Sequence, residues 1–177
     1  MSDRQMASFL ASVEHKAYRM ALYALKQRDD ALDAVQDAML QLVQHYSGRS
    51  ETEWPPLFHR ILQNRIQDGH RRKRWSRLLM PWRDETDGTG AAVSAEVADN
   101  AQLPQAERLQ QDRAMARLQQ ALQDLPLRQQ QAYLLRHWEG LDMKETAQAM
   151  ACSEGSVKTH LSRALAALKN ALAEDWP

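Results

Sequence analysis

The sequence predicts an all-α protein: two small helical domains joined by a flexible linker. Three observations predict it. Val, Ile and Thr are sparse while Ala, Leu, Gln, Arg and Glu dominate, which favours helix over strand. Apolar residues recur at helical spacing along most of the chain. The periodicity stops over residues 81–104, where Pro81, Gly88, Gly90 and Pro104 sit among small polar residues, and then resumes. The expected division is a first domain over 1–80, a linker over 81–104 and a second domain over 105–177.

Each element follows from its own pattern. Met6, Phe9, Leu10, Val13, Ala17, Met20, Ala21 and Ala24 space a helix over 5–26. Gln27-Arg28-Asp29-Asp30 interrupts it, and an Asp there is a suitable cap for the next helix. That helix, 30–46, sets Leu32, Val35, Met39, Leu42, Val43 and Tyr46 on one stripe and ends at Ser47-Gly48-Arg49-Ser50. Trp54-Pro55-Pro56 opens a third, since proline suits a first turn. Its buried stripe is Leu57, Phe58, Ile61, Leu62 and Ile66, and it runs into Arg71-Arg72-Lys73-Arg74. Gly69 inside it is unfavourable unless another backbone comes close. Beyond the linker, Leu109, Met115, Leu118 and Leu122 mark a helix from Gln105 to Gln123, broken by Leu125-Pro126. Residues 127–138 form another, closed by the turn Glu139-Gly140-Leu141-Asp142, and two short helices follow at 143–150 and 154–172.

Composition excludes several classes of function. The chain has 177 residues and one cysteine, so it is neither a disulfide scaffold nor a Cys-rich zinc protein. Its longest unbroken apolar run, Met20 to Leu25, is far short of the roughly 18 residues of a membrane span, and the N-terminus lacks a basic-then-apolar signal pattern. A cytoplasmic protein is expected. The six histidines have no ligand spacing, and there is no Gly-rich phosphate loop or nucleophile–base set, so neither cofactor nor catalysis is expected.

The net charge of zero hides an uneven distribution. Residues 1–56 carry 6 basic and 8 acidic groups, 57–83 carry 8 and 1, 84–112 carry 1 and 7, and 113–177 carry 8 and 7. A local excess of seven positive charges over 57–83 is an electrostatic footprint for a polyanion.

The strongest motif is a helix-turn-helix over 143–168. A two-turn helix with Ala147 placed for close packing leads through Ala151-Cys152-Ser153, and Ser153 is a good N-cap for the second helix. Val157, Leu161, Leu165 and Leu168 make the inward stripe of that helix, leaving Lys158, Thr159, His160, Ser162 and Arg163 to face a major groove. The same pattern suits a plain three-helix bundle with a solvated polar face.

Residues 124–169 carry Leu125-Pro126, Arg128-Gln129, Glu139-Gly140-Leu141, Glu145, Ala147 and Ser153-Glu154-Gly155-Ser156-Val157-Lys158. In that order they resemble the C-terminal DNA-binding domain of bacterial sigma factors. Residues 29–46 resemble the core-polymerase-binding helix of sigma region two. Residues 58–74, with Asn64, Asp68 and the Arg run, resemble the helix that reads the minus-ten element. Two such domains and a short linker resemble the extracytoplasmic-function class. Trp54-Pro55-Pro56 and Ala151 depart from the family pattern.

The resemblance implies three sites and no catalytic, metal or cofactor site. Asp30, Asp33, Gln36, Asp37 and Leu40 would bind the coiled-coil of the core RNA polymerase's largest subunit. Trp54, Arg60, Asn64, Arg65, Arg71, Arg72, Lys73 and Arg74 would bind the minus-ten DNA, with His59 near the reading surface. An unstacked base would be held by residues 47–56, where Trp54 is either a stacking platform or a core anchor. Ser156, Lys158, Thr159, His160, Ser162 and Arg163 would bind the minus-thirty-five DNA, while Arg128 and Arg136 touch phosphate or fix the fold. The implied partners are core RNA polymerase, promoter DNA and an anti-sigma factor. Acidic linker residues Asp84, Glu85, Asp87, Glu96 and Asp99 serve either as a nucleic-acid mimic or as a soluble spacer. The alternative is a helix-turn-helix regulator that binds duplex DNA without polymerase; a gel shift with and without core separates the two.

Overall fold

The computed structural model describes residues 2–81 and 105–173. Apart from Pro81, the expected linker and its acidic residues lie outside the described residues. Those residues form seven α-helices and no strand: α1 (Ser2–Leu25), α2 (Arg28–Tyr46), α3 (Trp54–Leu79), α4 (Gln105–Asp124), α5 (Leu127–Tyr133), α6 (Met143–Met150) and α7 (Glu154–Leu172). Helices α1 to α3 pack together, α4 to α7 pack together, and α6 lies against α3. Their buried apolar side chains make one continuous core.

The helix starts show which side chains satisfy the backbone. Asp29 and Asp30 do not cap α2; Gln27 occupies the cap in extended conformation, and the two carboxylates sit in the first turn, where they complement the helix dipole. At the foot of α2, Ser50 and Glu53 form a capping box: the Ser50 amide and hydroxyl donate to Glu53 Oε2 at 3.0 and 2.9 Å. A 3-10 turn, Glu51–Glu53, then delivers Trp54 and the two prolines into the first turn of α3. The hydrogen bonds from Ser50 hold the Glu53 carboxyl below the usual carboxylate range.

The inner stripes differ from the expected ones where small residues permit closer approach. In α2 the buried residues are Ala31, Ala34, Val35, Ala38 and Leu42, whereas Leu32 and Val43 are exposed. In α7 Ala164 takes the inward place expected of Leu165, which is exposed. In α4 Leu109 and Met115 are exposed and only the C-terminal turns are buried, at Leu122. Gly69 does mark a close approach: a Cβ there would lie 2.7 Å from Leu25 Cδ2, so glycine lets α3 pack on the end of α1.

Helix α5 does not run on as a regular helix. Leu134–Trp138 is a π-helical turn: the Glu139 amide donates to the Leu134 carbonyl at 3.0 Å, and Gly140 at φ +73° reverses the chain. This wider turn carries Trp138 and Glu139 against the first bundle. Lys16 Nζ donates to the Trp138 carbonyl at 3.3 Å, the Arg19 guanidinium lies 5.2 Å from the Trp138 ring centre, and Tyr23 packs on it at 5.8 Å.

Candidate functional site

The outer face of α2 is the first surface. Asp33, Gln36, Asp37 and Leu40 are all exposed, and at 100° per residue they share one side of the helix. Asp30 is half-buried because Lys73 Nζ approaches it at 3.6 Å. Asp37 Oδ2 lies 3.9 Å from Arg65 Nε, a long and exposed pair of the kind that contributes about 0–1 kcal/mol, so a basic partner can displace it at little cost. Leu32, Leu40 and Val43 add apolar area beside the carboxylates.

Helix α3 carries the second surface, and it sorts the basic residues by use. Arg60, Asn64, Arg71, Arg72 and Arg74 are exposed, and Arg65 is half-buried. Arg71 is tied to Asp68 at 3.0 Å. Lys73 is committed to the fold, since its Nζ donates to the Leu25 carbonyl at 2.6 Å and so caps the C-terminus of α1. Beside it, burial and then the Lys73 charge hold the His70 imidazole below its ordinary range, with Lys26 and Arg77 adding to the effect.

Two residues of this set need correction. Trp54 is 2% exposed, its ring packs on Phe9 at 5.8 Å and its Nε1 donates to the Tyr46 carbonyl at 3.2 Å. It anchors the start of α3 in the core and offers no face to a base. His59 is likewise buried rather than on the reading surface: its Nε2 lies 3.2 Å from Glu139 Oε2.

The third surface is α7. Ser153 caps it as expected, accepting from the Ser156 amide at 3.1 Å. Lys158, Thr159, Ser162 and Arg163 are exposed along one side, and Ser156 and His160 are half-buried beside them. The Thr159 hydroxyl donates to the Gly155 carbonyl at 3.1 Å, which uses its proton and leaves its oxygen as an acceptor only. Burial, then the charges of Arg128 and Arg163, keep the His160 imidazole below its ordinary range, so it is predominantly neutral at neutral pH.

The turn ahead of α7 is a Schellman motif. Cys152 donates to the Ala147 carbonyl at 3.1 Å and Ala151 to the Gln148 carbonyl at 3.2 Å, with Ala151 in left-handed conformation at φ 51°. Arg128 braces this turn by donating to the Met150 carbonyl at 2.9 Å, and Arg136 donates to the Leu141 carbonyl. Both arginines therefore fix the fold. Cys152 is a free, half-buried thiol, and no metal-binding cluster occurs among the described residues.

The seam between the bundles packs α3 against α6, the first helix of the helix-turn-helix. A cleft of about 540 Å³ runs between the 47–56 loop and α6; Arg49, Arg60, Glu53 and Leu57 line one wall, and Asp142, Lys144, Glu145 and Gln148 the other. A second, of about 300 Å³, sets Asn64 and Gln67 opposite Arg128 and Ala151. Sequence periodicity gave no sign of this seam. Its one trace in the sequence is Trp138-Glu139, a bulky aromatic and a carboxylate at a turn that its own bundle does not need.

Comparison with known proteins agrees with the geometry. Residues 7–76 match the family model described as "Sigma-70 region 2", and residues 115–168 match "Sigma-70, region 4". The RNA polymerase sigma-E factor of Streptomyces antibioticus is 30% identical over 146 residues, 81% of this chain and 71% of that one. The ECF RNA polymerase sigma factor SigM of Mycobacterium tuberculosis is 30% identical over 156 residues, 88% and 70% of the two chains. Among solved structures, the sigma factor RpoE in complex with the anti-sigma factor NepR, from Bartonella quintana, has the same fold: TM-score 0.62, 23% identity, 96% of this chain and 99% of that one. CnrH in complex with the cytosolic domain of CnrY has TM-score 0.53 and 20% identity, covering 99% and 100%. With both family models matched in order and relatives 30% identical over most of their length, the chain belongs to the sigma-70 family of RNA polymerase sigma factors, in the extracytoplasmic-function class.

Proposed function

We propose that this sigma factor divides its work among the three surfaces. It binds core RNA polymerase, directs it to promoters and helps open the DNA; the division assigns residues to those steps. The acidic face of α2, Asp30, Asp33, Gln36, Asp37 and Leu40, takes the polymerase. Arg60, Asn64, Arg65, Arg71, Arg72 and Arg74 take the minus-ten DNA. Ser156, Lys158, Thr159, His160, Ser162 and Arg163 take the minus-thirty-five DNA. Residues 1–80 and 105–177 then act as separate hands on a tether over 81–104. The protein performs no chemistry of its own, since nucleotidyl transfer belongs to the polymerase, and it works in the bacterial cytoplasm, where the DNA is. No helix among the described residues is long and apolar enough to cross a membrane.

The observation that supports this reading best is the outward row on α7, capped by Ser153 and braced through Arg128. Arginine and lysine there supply phosphate contact and guanine recognition. The two DNA elements are about 25 base pairs apart, about 85 Å at 3.4 Å per step. Packed helices such as α3 and α6 lie about 8–10 Å apart. The arrangement described is therefore a closed one that opens when polymerase and promoter are engaged. An anti-sigma factor suits the closed form as a ligand: two chains of similar fold, RpoE and CnrH, are each solved in complex with a second protein, NepR and CnrY.

In-vitro transcription with purified core polymerase and a promoter library tests the reading. The expected result is initiation at defined sites, lost with Asp37→Arg through loss of core binding and lowered with Arg163→Ala at unchanged stability. Specific duplex binding without core, and no initiation with it, would establish the regulator instead.

A further inference from the structure

The last turns of α3 carry large apolar side chains on the side that faces away from the protein. At 100° per residue, Gly69, His70, Lys73 and Arg77 share the side that meets the end of α1, where Gly69 abuts Leu25 and Lys73 caps it. Trp75, Leu78 and Leu79 fall opposite, and they are 59, 69 and 66% exposed. Arg74 and Arg72 flank that stripe on its two edges, Arg71 continues it one turn earlier, and all three are exposed. Three adjacent large apolar side chains in water form a patch of the kind that marks an interaction site.

We propose that this end of α3 docks the free protein onto an anionic lipid surface. Trp75, Leu78 and Leu79 enter the boundary between headgroups and acyl chains, and Arg71, Arg72 and Arg74 pair with lipid phosphates. Charge complementarity selects this occupant. A helix with a Trp/Leu face and an arginine rim matches an interface that is apolar below and negative above. Duplex DNA would satisfy the guanidinium groups and leave the apolar stripe in water. The same arginines cannot hold lipid and promoter at once, so lipid-bound and promoter-bound states exclude each other. This inference concerns the free chain and stands whether or not the α3 residues are assigned correctly to the minus-ten element.

Vesicle flotation of the full chain tests it, with phosphatidylglycerol/phosphatidylethanolamine vesicles against pure phosphatidylcholine. The wild type is expected to float with the anionic vesicles and to remain behind with the neutral ones. The Leu78→Ser/Leu79→Ser variant, altered only at exposed positions, should lose at least about tenfold in bound fraction with unchanged circular dichroism. Arg72→Gln/Arg74→Gln should bind the anionic vesicles more weakly than the wild type at low salt and lose less of that binding as salt rises. Absence of flotation with anionic vesicles overturns the proposal. So does wild-type flotation of the double serine variant, which would mean adsorption by charge alone. Loss of core-polymerase pull-down in that variant, with a wild type indifferent to vesicles, would assign the stripe to the polymerase instead.

Discussion

His59 Nε2 and Glu139 Oε2 meet at 3.2 Å in the seam between the two bundles, at 1% and 7% side-chain exposure. The pair joins α3, the helix proposed to take the minus-ten DNA, to the turn that precedes the helix-turn-helix. Each partner has a second polar atom, His59 Nδ1 and Glu139 Oε1, that is buried and finds no hydrogen bond among the described residues. Such a half-satisfied pair holds well only while both members stay together, and separation rehydrates all four atoms. It is a contact suited to being broken.

Glu139→Lys therefore opens the protein, because it sets a cation against His59, Lys16 and Arg19. Losing the pair costs the closed form about 1–3 kcal/mol. Small-angle scattering should show a larger radius of gyration. Core polymerase should bind up to about tenfold tighter, since the binding-competent open form is no longer a minor species. His59→Phe/Glu139→Leu should stay closed. An unchanged radius of gyration in Glu139→Lys would mean that packing of Trp138 and α6 holds the seam unaided.

Lys73 is expected to behave unlike its neighbours. It donates to the Leu25 carbonyl and approaches Asp30, so Lys73→Ala removes a charged hydrogen bond from the end of α1. Stability in urea should fall by about 1.5–3 kcal/mol. Arg72→Ala and Arg74→Ala should stay within about 0.5 kcal/mol of wild type and instead lower the salt dependence of promoter binding by about one ion each. Equal stability losses across the three would remove the distinction.

Ala151 holds φ 51° in the turn before α7, where a Cβ is strained. Ala151→Gly relieves that strain and loses part of the gain to greater freedom of the unfolded chain. The net expectation is a stabilisation of about 0.5–1 kcal/mol, a rise in Tm of roughly 2–3 °C, with promoter affinity unchanged. A fall in Tm would show that the alanine methyl is packed rather than strained.

What the sequence disclosed, and what it hid, divide along a physical line. The helices were legible because their signals are local: the Ser153 cap, the prolines after Trp54 and the Leu125-Pro126 break each act within a few residues. The outward residues of α7 were legible for the same reason, because α7 keeps one periodicity from Val157 to Leu168. The inner face of α2 was misread because alanine scores weakly as apolar although Ala31, Ala34 and Ala38 are what allow close packing. Trp54 was ambiguous because an aromatic beside two prolines fits a platform and an anchor equally; only its burial against Phe9 decides. The seam left no periodic signal beyond the local trace of Trp138-Glu139, since Lys16 and Trp138 stand 122 positions apart and no periodicity links them.

His160 yields a pH dependence whose sign differs between folding and binding. In the free protein, burial and the charges of Arg128 and Arg163 disfavour the imidazolium, so the folded value lies below the ordinary 6.5. The unfolded chain then binds more protons, and this contribution to stability is present above pH 6.5 and lost as pH falls through that value. His70 is shifted in the same direction, by burial and then Lys73, and adds to the same loss. On the promoter the neighbouring field reverses, because DNA phosphates offset the two guanidinium charges and favour the imidazolium. Binding should therefore take up a proton at His160. Holoenzyme affinity for a minus-thirty-five element should rise as pH falls from about 7.5 to 6, by no more than about tenfold per unit. His160→Gln should flatten that slope and leave the His70 contribution to stability in place. A slope equally steep in His160→Gln would place the imidazole away from the DNA.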